Sequence, residues 1–387
     1  MRVVVVRELR NGERRVALVP SSVKALREAG FQVVVEAGAG DEAGFPDSAY
    51  EAGGADVAPS REEALEGADI LLKVAPPLGP KEGSTNEVEG LSEGLSLLGF
   101  LDPLGAPRRI QSLADAGITA YSMELIPRVT RAQKMDALSS QATVAGYRAV
   151  LLGALHLPRF LPMLMTAAGT IPPARMLVLG AGVAGLQAIA TGRRLGASVS
   201  AFDVRPAVKE QVESLGARFL ETEVDPDAEA EGGYARELTE AEHEAELELV
   251  HRHAQASDLV ITTAQIPGRR APVLLTRETV DAMPAGAVVV DLAAATGGNC
   301  TETRPDEVVQ REGVRILGPT NLPAEVPTHA SEMYSRNISA LLLHLAPEGE
   351  LNVDSDDEIA TGCLVTQGGE VRHPRVQEAL NQEGSDG

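Results

Sequence analysis

Residues Met176 to Arg205 read MLVLGAGVAGLQAIATGRRLGASVSAFDVR: an apolar run, a glycine-spaced turn, an Ala/Leu-rich amphipathic stretch and a second apolar run. That order specifies a strand, a tight turn, a helix and a parallel strand, and the turn, Gly180-Ala181-Gly182-Val183-Ala184-Gly185, has the spacing of a dinucleotide-binding βαβ unit. Gly180 permits the strand-to-helix turn, Gly182 lets backbone approach a pyrophosphate, and Gly185 lets helix and strand pack closely. The helix N-terminus then offers free N–H groups and a partial positive charge to the phosphates. Asp203, 18 residues after Gly185, ends the second strand, where a carboxylate accepts from adenosine ribose hydroxyls and repels a 2′-phosphate. Arg205, two residues on, is the group that could receive such a phosphate. The expected cofactor is NAD(H).

Working outward, 387 residues suffice for about two domains. Tryptophan is absent and aromatics make up 3%, a composition suited to tightly packed α/β layers. The formal net charge of −22 argues against nucleic acid and anionic membrane surfaces as partners. Two cysteines, Cys300 and Cys363, have no ligand-like spacing, so neither a disulfide framework nor a metal site is expected. MRVVVVRELR at the N-terminus reads as a strand, without the layout of a signal peptide. The longest apolar region, Ala149 to Ile171, is interrupted by His156, Pro158, Arg159 and Pro162 and reads as a buried helix and connection, not a membrane span. The chain is expected to be soluble and cytoplasmic.

Before the fingerprint, Val3–Val6, Val33–Glu36, Ile70–Val74, Leu97–Leu101 and Thr119–Ser122 read as strands, with helices at Ser21–Ala29, capped by Ser21 or Ser22, and near Arg61–Glu66. This first α/β unit has no glycine fingerprint. A helical period runs from Met135 to Leu157 and ends in prolines. The second unit continues with Val199–Asp203, Leu259–Thr263, Val288–Leu292 and Arg315–Leu317. Ala330–Leu345 is a long striped helix expected to cross back to the first domain, and the tail from Ala346 reads as polar, with a short terminal helix at best. The fold class is therefore α/β, two Rossmann-like doubly wound domains with a cleft between them, joined by long helices. The domains are 1–135 plus 328–387, discontinuous, and 136–327, which holds NAD(H).

Two polar stretches stand apart. Glu221 to Glu248 carries 12 acids and one base around Gly232-Gly233-Tyr234. It reads as a solvated loop leading into a charged helix, or as a lid in which Tyr234 closes over the cofactor. Pro127 to Gln141, PRVTRAQKMDALSSQ, opens the long helix. Thr130 is a candidate cap, and Met135, Leu138 and Ala142 mark a buried stripe that sends Gln133, Asp136 and Ser139 or Ser140 to a shared polar face.

The chain resembles the NAD(H)-binding component of proton-translocating nicotinamide nucleotide transhydrogenase, with alanine dehydrogenase as a near relative. The resemblance spans nearly the whole chain, through RRVALVP (Arg14–Pro20), LLKVAPP (Leu71–Pro77), PRVTRAQKMDALSSQATVAGYRAV (Pro127–Val150), GAGVAGLQAIATGRRLGA, FDVRP, GGYARE, TTAQIPGRRAP and VVVDLAAATGGNC. RAQ-x-MDALSSQ is much more specific than the glycine turn. The resemblance implies that Arg128, Gln133, Asp136 and Ser139 meet the nicotinamide end and that Gly233 and Tyr234 lie on a mobile loop. It further implies cofactor contacts at Gly182, Val183, Asp203, Val204, Arg205, Ala264 and Gln265, the last standing where the family pattern has leucine. Implied partners are separate NADP(H)-binding and membrane-spanning subunits and a second copy of the chain. The chain would then sit peripherally on the inner face of the cell membrane.

Alanine dehydrogenases share Arg15 and Lys73, which in them hold the substrate, so these two residues leave a self-contained alanine dehydrogenase-like oxidoreductase as the alternative. The histidine expected there as acid–base after the Leu97–Leu101 strand is missing: FLDPLG places Asp102 in that region. Amino-acid oxidation needs a proton acceptor, whereas hydride exchange between two nicotinamides needs mainly orientation. The resemblance therefore leans to transhydrogenase.

Overall fold

The computed structural model describes residues 1–79, 86–221, 239–266, 268–347, 349, 351 and 356–385. The chain divides into two compact units, Met1–Gln141 with Pro323–Gly387, and Ala142–Leu322. The first unit opens with β1 (Arg2–Val5), α1 (Pro20–Glu28), β2 (Gln32–Glu36), α2 (Asp47–Gly53), β3 (Asp56–Ala58), α3 (Arg61–Leu65) and β4 (Ile70–Leu72). It continues with β5 (Ser96–Gly99), α4 (Pro107–Asp115) and β6 (Thr119–Ser122). After a 3-10 turn at Thr130–Met135, α5 (Ala137–His156) carries the chain into the second unit.

There the hairpin β7 (Leu164–Thr166) and β8 (Gly169–Ile171) precedes β9 (Arg175–Leu179), α6 (Val183–Arg194), β10 (Ser198–Phe202), α7 (Lys209–Ser214) and β11 (Arg218–Leu220). Next come α8 (Glu240–Ala254), β12 (Leu259–Thr262), α9 (Arg277–Asp281), β13 (Val288–Asp291), β14 (Val308–Arg311) and β15 (Val314–Leu317). The chain returns to the first unit through α10 (Pro327–Leu345), α11 (Glu358–Cys363), β16 (Leu364–Gln367), β17 (Glu370–Val371) and α12 (Pro374–Ser385).

The first sheet runs β17-β16-β6-β5-β4-β1-β2-β3, parallel from β3 to β6, with β16 antiparallel to β6 and β17 antiparallel to β16. The second runs β11-β10-β9-β12-β13-β15-β14 and is parallel except for β14. Both are doubly wound, so the expected α/β class with two Rossmann-like domains is the observed one. The strands are continuous apolar runs because both faces are covered. Val3 and Val5 face one core with Tyr334 and Ile338, while Val4 and Val6 face another with Leu97 and Ile110. In the second unit Met176 and Val178 divide from Leu177 and Leu179 in the same way.

Several local expectations are corrected. Pro20 occupies the first turn of α1, where its missing N–H costs no intrahelical bond, and the N-cap is Val19, whose apolar side chain has no atom to accept from the helix. The Ser22 hydroxyl instead accepts from Ser335 at 2.8 Å. The tail is structured well beyond a short helix: β16 and β17 widen the first sheet, and Thr366 is fully buried with its hydroxyl donating to the Ile118 carbonyl at 2.7 Å. The connection after α5 is exposed rather than buried, with Met165 77% accessible and Phe160 and Met163 more than half so.

The turn after β9 is set by close approach. Gly180 has φ +95°, and an added Cβ at Gly185 would lie 1.9 Å from the Gly180 carbonyl oxygen. One at Gly146 of α5 would lie 2.1 Å from the Ala184 carbonyl oxygen, whereas one at Gly182 would meet nothing within 4 Å. Gly185→Ala should therefore lower stability by about 1–3 kcal/mol as helix and strand are forced apart. Gly182→Ala should leave the urea midpoint close to the parent value, and equal midpoints for the two variants would refute this account of the turn.

Candidate functional site

In the second unit, β9 and β12 are the neighbours at which strand order reverses, and the loops beyond their C-terminal ends form the ligand position of a doubly wound sheet. Gly182 precedes α6 with no side-chain cap. The first N–H groups of that helix are thus left for an anion. Thr263, after β12, ties the two loops by donating its hydroxyl to the Gly180 carbonyl at 3.0 Å. Val183 is exposed and Val204 half-buried beside this turn.

Asp203 stands at the end of β10 and is almost fully buried. Its Oδ2 accepts from the Ala181 N–H at 2.7 Å and from the Arg205 guanidinium at 2.8 Å. Its Oδ1 accepts from Arg205 Nε at 2.8 Å and from the Arg205 N–H at 2.9 Å. The carboxylate therefore fastens the glycine turn and is locally charge-compensated by a bidentate arginine. Glu246 of α8, bonded to His243 Nδ1 at 3.1 Å, is pushed above the usual carboxylate range by burial, with Asp203 adding to the effect.

Ala264 is clamped by a residue that sequence reasoning left without a role. Asn299, fully buried, accepts from the Ala264 N–H at 3.1 Å and donates to the Ala264 carbonyl at 2.8 Å. Asn299 is held in turn by Asp291, which accepts from the Asn299 and Cys300 N–H groups and the Thr262 and Thr303 hydroxyls. The only signal in the sequence was the stretch VVVDLAAATGGNC itself. The Gln265 amide donates to the Leu292 carbonyl at 2.7 Å, joining the loops after β12 and β13, a bond that leucine could not make. Gly233 and Tyr234 lie outside the described residues. The helical half of the acidic stretch is present as α8, opened by a capping box of Thr239 and Glu242.

In the first unit the stretch 127–141 is two elements rather than one helix start. Residues 130–135 form the 3-10 turn, and Asp136 (φ −70°, ψ 85°) breaks it from α5. Asp136 caps α5: Oδ1 accepts from the Ser139 N–H at 2.9 Å and Oδ2 from the Ser139 hydroxyl at 2.6 Å. Thr130 makes no cap at the turn, whose preceding residue is Val129. The break shifts the phase of burial, so Ala132, Met135 and Ala137 face the core while Leu138 is exposed. Arg128, Arg131, Gln133 and Lys134 point outward, and Asp136 and Ser139 are half-buried against each other.

Arg15 and Lys73 are both engaged within the unit. Arg15 donates to Glu13 through Nε at 2.7 Å and Nη2 at 2.6 Å, and to Gln141 Oε1 at 2.9 Å. Lys73, 1% exposed, pairs with Glu8 at 3.0 Å and Glu87 at 2.9 Å. Burial pushes the Glu8 carboxyl above its ordinary range in spite of Lys73. At Glu87 burial works in the same direction but is outweighed by Lys73, the Leu78 N–H and Arg61, and the group is held below that range. Asp102 follows β5 with φ +51°, its N–H donating to Glu124 at 2.7 Å. Among the described residues no cluster of His, Cys, Asp or Glu could hold a metal ion, and no helix is long and apolar enough to cross a membrane.

Known proteins resemble this chain over nearly its whole length. Residues 4–145 match the alanine dehydrogenase/PNT N-terminal domain and residues 149–374 the alanine dehydrogenase/PNT C-terminal domain. The first part of NAD(P) transhydrogenase subunit alpha of Rhodospirillum rubrum is 46% identical over 383 residues, covering 97% of this chain and 99% of that one. The crystal structure of transhydrogenase from Sinorhizobium meliloti superposes with a TM-score of 0.83 at 44% identity, over 97% of this chain and 99% of that one. Alanine dehydrogenase of Mycolicibacterium smegmatis is more distant, 29% identical over 97% of this chain and 95% of its own length. With matches to both domains and near-complete coverage at these identities, the chain belongs to the alanine dehydrogenase/PNT family.

Proposed function

We propose that the chain is the NAD(H)-binding alpha subunit of a proton-translocating transhydrogenase, passing hydride between its own NAD(H) and NADP(H) held on a separate subunit. Membrane-spanning subunits complete the assembly, and this chain is peripheral to the membrane on its cytoplasmic side. The observation that carries the choice over amino-acid oxidation is Asp102, which follows β5 in the region where a histidine acid–base is needed. Arg15 and Lys73, shared with alanine dehydrogenases, are paired with glutamates of the chain. The near-complete likeness to transhydrogenase alpha chains points the same way.

The residues fit a dinucleotide. The second domain, 136–327, would hold it: Gly180, Gly182 and Gly185 with the uncapped start of α6 for the pyrophosphate, and Val183, Asp203, Val204, Arg205, Ala264 and Gln265 around the nucleoside. Gly233 and Tyr234 would close over it. Bound NAD(H) supplies the hydride chemistry; the chain supplies orientation and exclusion of water. Gln133 offers both a donor and an acceptor to a carboxamide. Asp136, with both oxygens on Ser139, positions and does not act as a base, and Arg128 stands at the entry of the same loop.

The exposed apolar hairpin supports a homodimer. Leu155, Phe160, Met163, Met165 and Ile171 cluster along residues 155–171, and Leu155 and Met165 are more than three-quarters exposed. Met165→Asp should shift sedimentation from dimer to monomer, while a parent protein that is monomeric at micromolar concentration would remove this part of the proposal.

Asp203→Asn removes the counterion of Arg205, so the preference for NAD(H) over NADP(H) should narrow by on the order of 1–3 kcal/mol. Titration of both nucleotides against parent and variant measures it, and an unchanged ratio counts against the assigned nucleoside site. Gln133→Asn should slow single-turnover hydride transfer in the assembled complex while NADH affinity changes little, the signature of an interaction made in the transition state. Deuterium from C4 of NADH should arrive in NADPH without exchange with water. Solvent label in the product would refute direct transfer, and oxidation of L-alanine by this chain alone at a comparable rate would establish the dehydrogenase alternative.

A further inference from the structure

The 3-10 turn at residues 130–135 is a short element that presents Gln133 to solvent, and it is gripped from outside at two places. One grip is under the turn: Ala132 and Met135 enter the first core, and Asn337 of α10 donates to the Lys134 carbonyl at 2.8 Å. The other is Arg131, two residues before Gln133. Its Nη2 donates to Asp357 Oδ1 at 2.9 Å and to Glu358 Oε1 at 3.1 Å, with Nε on Glu358 Oε1 at 3.3 Å.

Asp357 is itself fixed from several sides. Its Oδ2 meets His344 Nε2 at 2.5 Å, at the end of α10. Oδ1 also accepts from the Ile359 N–H at 3.2 Å as the cap of α11, and its carbonyl accepts from Thr361. Burial would raise its carboxyl, but the bonds from His344 and Ile359, with His344 and Arg131 nearby, outweigh that and hold it below the usual range. A rigidly held anion thus sits over an arginine that is half exposed. An ion pair this open adds little to stability, so its effect is in geometry.

We propose that Asp357 is a positioning residue for hydride transfer: through Arg131 it sets the placement of the 130–135 turn and hence of Gln133 and Asp136, without touching nucleotide. This rests on the reading that the 128–139 loop orients the reacting end of NAD(H). Misplacement by about 1 Å costs up to roughly a hundredfold in rate.

The test uses the full chain assembled with its partner subunits, in single-turnover hydride transfer, with NADH affinity and melting temperature measured alongside. Asp357→Asn keeps a good helix cap while removing the charge. Arg131→Met removes the other partner at an exposed position, and Gln133→Asn serves as the direct probe of the loop. Asp357→Asn and Arg131→Met should each slow hydride transfer about tenfold with NADH affinity within about twofold, the loss expected of a small misplacement. The double variant should be no slower than the slower single one, because both act through one contact. Parent-like rates for Asp357→Asn and Arg131→Met beside a slow Gln133→Asn would overturn the positioning role and leave the loop reading intact. A parent-like Gln133→Asn would overturn the loop reading itself. Losses that follow the melting temperature or NADH affinity, or that add in the double variant, would reduce the contact to a structural one and overturn the proposal.

Discussion

A single buried ammonium organises the first unit. Lys73 follows β4 with almost no access to solvent, where an unpaired ion costs several kcal/mol after relaxation. Its two carboxylates come from different segments: Glu8 follows β1, and Glu87 precedes the turn at 88–90. Both glutamates also accept from backbone, Glu8 from Val74 at 2.6 Å and Glu87 from Leu78 at 2.9 Å. The backbone at Lys73 is equally constrained. Tyr334 of α10 donates to its carbonyl at 2.7 Å, and Gly99 of β5 leaves room where a Cβ would come within 2.7 Å of that oxygen. Neutralising one charge thus ties β1, β4, β5 and the returning helix together.

The same topological position is used differently in the second unit. Both sheets reverse their strand order at an equivalent place, between β1 and β4 and between β9 and β12. In the second, α6 starts at Val183, four residues after β9 ends, so its first N–H groups reach the switch point. In the first, α1 starts at Pro20, fifteen residues after β1 ends, and the gap is filled by the ion cluster and by a segment held on α10. The Val16 and Val19 N–H groups of that segment donate to Ser331 and Ser335 at 2.9 and 3.1 Å. One fold order therefore yields an anion-ready turn in one unit and an electrostatically closed one in the other.

The central strands were legible because strands buried on both faces are unbroken apolar runs, and the glycine turn because each glycine answers a steric need. The elements that were missed are stabilised by other means. β16 enters the sheet through Thr366, a polar residue whose hydroxyl finds a carbonyl, so no apolar period marks it. The hairpin at 164–171 is apolar yet exposed, and periodicity does not distinguish an apolar stretch that is buried from one that is not. At the candidate site, residue types and spacing pointed to Asp203 and to the polar stretch at 127–141. The Asp203–Arg205 pair, the cap made by Asp136 and the clamp made by Asn299 were not readable, since each depends on which oxygen meets which N–H in three dimensions.

The split of the first unit across the chain bears on the order in which the protein is made. Residues 142–322 are continuous and carry their own sheet, so they have every strand in hand once the ribosome has passed β15. The N-terminal residues emerge first but lack α10, β16 and β17 until nearly the whole chain has been synthesised. Until then β6 presents an open edge and Lys73 waits for the tyrosine that closes over its carbonyl. Synthesis from the N-terminus would thus complete the internal unit before the one that contains the first residue.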